Sequence, residues 1–126
     1  MQRSVVVPII AAIGAAAFLV FGIWPFFGPQ SFFDGVAQFP PYNAHFLHDI
    51  GAFQIGIGVT LALALWRRQD ALLAALGGAG IGSALHAAAH IRDHDLGGTD
   101  GDWIAHAVLA AVLLGAAAWR LAPERK

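Results

Sequence analysis

The chain has 126 residues, of which 58% are apolar and 12% charged, and a formal net charge of −1; its mean hydropathy is +0.65. Soluble domains average about 45–50% apolar and about 25% charged, so this composition argues against a disordered chain, a nucleic-acid-binding protein and an ordinary cytosolic enzyme. The absence of Cys removes a disulfide framework, a thiolate metal site and a Cys nucleophile, and the length suits one domain whose natural solvent is the lipid bilayer.

Four apolar stretches follow one another, at about residues 5–27, 44–66, 71–91 and 103–121. The first, Val5 to Phe27, is uncharged throughout. The second opens on His45, His48 and Asp49, the third is interrupted by Ser83, His86 and His90, and the fourth carries His106 near its start and Arg120 near its end. About 20 residues cross the hydrocarbon core as a helix, backbone groups in lipid must be satisfied within each segment, and none of the runs alternates with the period of a strand. The expected fold is therefore all-α, a single four-transmembrane-helix bundle. A signal peptide is the rival reading of the first stretch, but signal cores are about 7–15 residues and this run continues through Val20, Trp24 and Phe27. Between the stretches, residues 28–43 form the longest loop, with turns marked by Pro29, Pro40 and Pro41. The connection around Arg67 to Asp70 is short enough to make an antiparallel hairpin, and the third loop holds the Gly97-Gly98 turn. Trp and Phe residues gathered at the stretch ends suit the interfacial belt.

Charge sets the expected orientation. Six of the seven Lys and Arg (Arg3, Arg67, Arg68, Arg120, Arg125 and Lys126) fall on one side, and Arg92 alone on the other. By the positive-inside rule both termini are cytoplasmic, in the inner (plasma) membrane. The opposite, extracytoplasmic side collects Asp34, Asp49, Asp93, Asp95, Asp100, Asp102 and all six histidines.

That cluster carries the functional signal. Residues three or four apart share a helix face, which pairs His45 with Asp49, His86 with His90, and Asp102 with His106. The small-residue rows Ala44-His48-Ala52-Gly56-Thr60 and Ala74-Gly78-Gly82-His86-His90 run into these pairs, and small residues let membrane helices approach closely. The histidines are thus expected to point into the bundle. Ionisable groups inside a membrane are functional-site hypotheses by default, and imidazole with carboxylate suits Zn, Fe or Cu(II). The expected ligands are His45, Asp49, His86 and His90, with His106 and Asp93 as further ligands. A blander account competes with this: inter-helical hydrogen bonding without metal, with His48 and His94 as interfacial residues and Asp95 and Asp100 as a solvated loop.

The segments Pro29-Gln30-Ser31-Phe32-Phe33, Pro41-Tyr42-Asn43-Ala44-His45 through Asp49-Ile50-Gly51, and His86-Ala87-Ala88-Ala89-His90 resemble a group of small four-helix integral membrane proteins of actinobacterial type, distantly DoxX-like. The likeness covers the first three stretches. His45, Asp49, His86 and His90 match its pattern; Asp93 stands where the pattern has a further His, and His48 where a basic residue is common. The resemblance implies a four-helix bundle and no established activity.

Three functional classes follow. One is a metal site in the outer-leaflet half of the bundle, serving a metal-dependent enzyme that acts on a lipid-soluble substrate. The second is electron transfer through a b-type haem held by two histidines such as His86 and His106. The third is a cofactor-free accessory or transport subunit with a His-Asp hydrogen-bond or proton network. The bilayer is the expected partner, with a homo-oligomer or a larger membrane complex as the setting.

Overall fold

The computed structural model describes residues 2–67 and 70–122, and within them the chain is all-helical. Four long helices, α1 (Gln2–Phe27), α3 (Ala44–Arg67), α4 (Asp70–Arg92) and α5 (Asp102–Leu121), are each long and apolar enough to cross a membrane. Their ends fall within a few residues of the expected stretches. Arg68, Arg125 and Lys126, three of the basic residues behind the expected orientation, lie outside the described residues. Large apolar side chains such as Phe53, Leu85 and Trp66 remain exposed, Trp66 to 82%. That is the surface expected of helices whose outer faces meet lipid.

The interior is built from Val7, Leu61, Leu72, Leu76 and Leu113, all fully buried, with Ala11, Ala15, Ala79 and Ala116 between them. Close approach is concentrated in two helix pairs. In the pair α1 and α3, a Cβ at Gly22 would stand 2.7 Å from the backbone nitrogen of Ile55, one at Gly51 would meet the Gly22 carbonyl, and one at Gly58 would meet Leu19. In the pair α4 and α5, Gly80 lies against Leu114. These glycines act through the backbone approach they permit.

The contact between α3 and α4 is different from the one expected of their small-residue rows. Positions Gly56, Gly78 and Gly82 have nothing within 4 Å of where a Cβ would stand. Ala52, Gly56 and Thr60 of α3 face Ala74 and Gly78 of α4 across an open apolar groove of about 410 Å³. A row of small residues permits close approach but supplies no side chain to fill the space. The bulky partners, Leu19 and Leu114, sit opposite other glycines.

The long loop also departs from a simple run of turns. Pro29 opens a short helix, α2 (Pro29–Gly35), the first-turn position where a missing N–H costs nothing. Trp24 Nε1–H donates to Ser31 Oγ (2.9 Å) and the Trp24 ring packs edge-on against Phe32, folding α2 back on the end of α1. Asn43 then caps α3, its Oδ1 accepting the N–H of Phe46 at 3.1 Å. Beyond α4, a 3-10 turn (His94–Leu96) leads to Gly97 and Gly98, whose φ values of 143° and 78° suit glycine. Gly98 N–H donates to the Gln38 carbonyl at 3.1 Å, so the two long connections are tied together over one end of the bundle.

Candidate metal centre

His86 and His90 stand one turn apart in the last turns of α4, and His106 lies in the second turn of α5. Because Gly80 lets α5 lie close along α4, the three imidazoles meet. His86 Nε2 and His90 Nε2 are 3.2 Å apart. The His86 and His106 ring centres are 3.8 Å apart, and those of His90 and His106 are 5.1 Å apart. One ring nitrogen from each histidine lies within 4.8 Å of the other two, and among the described residues no other group of three or more His and acidic side chains meets that condition.

The donor set is of a kind that ligates transition metals, and one of its separations suits a shared ion. Zn–N bonds of about 2.0–2.1 Å in a tetrahedron place neighbouring nitrogens about 3.3 Å apart, close to the His86–His90 separation. The rings are near-parallel, at 16–24° to one another, so their lone pairs lie in almost parallel planes. Convergence on one ion requires the rings to turn about χ2, a soft torsion. All three side chains are half-buried. Phe39, from the connection between α2 and α3, packs edge-on against His90 with ring centres 5.6 Å apart. The same ring abuts Gly98, so the docked connections cover part of the outer side of the trio.

Asp102 is the carboxylate nearest in role. Its Oδ2 accepts the Thr99 N–H at 2.8 Å and its Oδ1 accepts the Thr99 hydroxyl, which fixes the carboxylate at the first residue of α5. It stands one turn before His106 on the same helix face. Sequence reasoning paired Asp102 with His106 by spacing but left it out of the ligand set. Thr99, three residues ahead of it, holds it through two hydrogen bonds, which helical spacing alone does not indicate.

The other expected ligands lie elsewhere. His45 Nε2 and Asp49 Oδ2 pair with each other at 3.6 Å, with side chains 87% and 56% exposed; they do not join His86 and His90. The reason is the helix pairing: the first turns of α3 lie beside α1, where His48 packs on Phe26, while His86 and His90 face α5. Asp93 is beside Arg92 at 3.9 Å, and His94 pairs with Asp95 at 3.0 Å. Neither belongs to the histidine group.

Compared with protein-family models, with curated proteins and with solved structures, the chain finds no match in any of the three.

Proposed function

We propose that this is a multi-pass plasma-membrane protein that holds a transition-metal ion, Zn, Fe or Cu(II), on His86, His90 and His106. In this reading both termini are cytoplasmic and the centre lies in the extracytoplasmic half of the bundle. The observation that carries it is the meeting of three imidazole nitrogens from two helices within 4.8 Å. Three protein ligands leave one tetrahedral position open, the arrangement of catalytic rather than structural sites. An ion there would supply Lewis-acid activation of water for a lipid-soluble substrate, or, as Fe in its reduced state, activation of dioxygen. Asp102, fixed by Thr99, supplies a carboxylate able to orient a ligand imidazole. The haem alternative draws less support: two axial imidazoles lie on opposite faces of a macrocycle, whereas His86 and His106 stack face to face at 3.8 Å.

A second reading has its own observation. The His86–His90 nitrogens already stand at hydrogen-bonding distance, 3.2 Å, so the trio can act as a cofactor-free hydrogen-bond or proton network. Elemental analysis of protein purified without a His tag, repeated after loading with Zn and desalting, separates the two. Stoichiometric metal that is lost in a His86→Ala, His90→Ala double variant supports the metal centre. Wild-type protein that retains no ion under either condition rejects it and leaves the network.

A further inference from the structure

The groove between α3 and α4 continues beyond Thr60, Ala74 and Ala75 into a second open cavity of about 410 Å³, which ends at Arg67. We propose that this groove binds an anionic phospholipid, with an acyl chain along its floor and the phosphate against the Arg67 guanidinium. Arg67 closes α3 at the membrane end opposite the histidine trio, so the headgroup end of the site lies in the other leaflet and stands independently of the metal reading.

The chemistry of the groove fits that occupant. Gly56 and Gly78 leave its floor open, and the Thr60 hydroxyl is satisfied by the Gly56 carbonyl at 2.9 Å, so the floor presents no hydroxyl in need of a partner. From Arg67 to Ala52 the groove covers about 22 Å of α3, and from Ala71 to Ala79 about 12 Å of α4. Those lengths bracket the ~15 Å depth of one leaflet. At its end, Arg67 takes part in no ion pair among the described residues, and Trp66 beside it is 82% exposed. An aromatic and a basic residue at a helix end mark headgroup depth, and basic sites between membrane helices bind anionic headgroups. A second copy of the chain suits the groove less well. A parallel two-fold dimer closed over it is isologous and would bring like charges, Arg67 and its copy, towards each other at the end of the interface.

Native mass spectrometry of the delipidated full chain, titrated with phosphatidylglycerol and with phosphatidylcholine of the same acyl chains, tests this. Phosphatidylglycerol should bind at least about fivefold more tightly, the effect of one basic residue near a membrane surface. Arg67→Gln should reduce that preference to near unity, while Arg92→Gln, at the opposite end, should leave it intact. Gly78→Leu, placed where a Cβ meets nothing within 4 Å, should weaken both lipids by filling the floor. Equal binding of the two lipids by the wild type, or a preference that survives Arg67→Gln, overturns the proposal. So does a dimer that Gly78→Leu dissociates while lipid binding is unchanged.

Discussion

At the scale of single residues, the six histidines separate into two kinds. His86, His90 and His106 lose solvent to one another, while His45 and His94 keep theirs beside a neighbouring acid and His48 rests on Phe26. If the trio holds metal, His86→Ala or His106→Ala should abolish stoichiometric Zn retention, and His45→Ala should leave it unchanged, both read by elemental analysis. Asp102→Asn keeps the hydrogen-bonding shape but removes the charge; a partner that orients a ligand should cost about 10–100-fold in metal affinity, measured by competition with a chelating dye. Gly98 offers a test that needs no metal. Its φ of 78° disfavours any side chain, and a Cβ there would meet Asp102 Oδ2 and the Phe39 ring. Gly98→Ala should therefore cost about 1–3 kcal/mol, seen as a lower melting temperature in detergent.

At the scale of helices, the glycines divide by what faces them. Gly22, Gly51 and Gly58 permit α1 and α3 to touch through their backbones, whereas Gly56 and Gly82 face open space. A side chain forced into a filled contact displaces both helices at a cost of about 1–3 kcal/mol or more. On an open helix face, Ala in place of Gly gains about 0.5–1 kcal/mol. Gly22→Leu should accordingly lower the unfolding midpoint in a denaturing detergent titration, and Gly82→Ala should raise it slightly or leave it unchanged. Loss of stability from Gly82→Ala comparable to that from Gly22→Leu would contradict the observed pairing. The sequence displays both sets of glycines in similar apolar surroundings. What distinguishes them is whether Leu19, Phe26 or Leu114 stands opposite, which depends on residues far away along the chain.

At the scale of the whole molecule, four spans place Arg67 and Asp70 at one end and the histidine trio at the other. With the proposed orientation, a single Cys introduced at Asp100 should react with an impermeant thiol reagent in intact cells, and one at Asp70 should react only after permeabilisation. The chain has no native Cys to confuse the readout. The reverse pattern would move the trio to the cytoplasmic side. The link between the two long connections also acts at this scale: the bond from Gly98 to Gln38 carries Phe39 onto His90, joining segments that the sequence separates by a complete α3–α4 unit.

Hydropathy and length by themselves determined the four long helices, because a helix in lipid must satisfy its own backbone and needs about 20 apolar residues to do so. Helical spacing likewise determined that His86 with His90, and Asp102 with His106, share faces. Only the tertiary structure decided which helices pair. Small-residue rows mark every surface that could be approached closely, and the choice among them depends on side chains contributed by another helix. That choice draws His106 rather than His45 and Asp49 to His86 and His90, and leaves the α3–α4 rows as a groove. It also decided the placement of Phe39, which depends on Gly98 arriving from the far side of the α3–α4 unit.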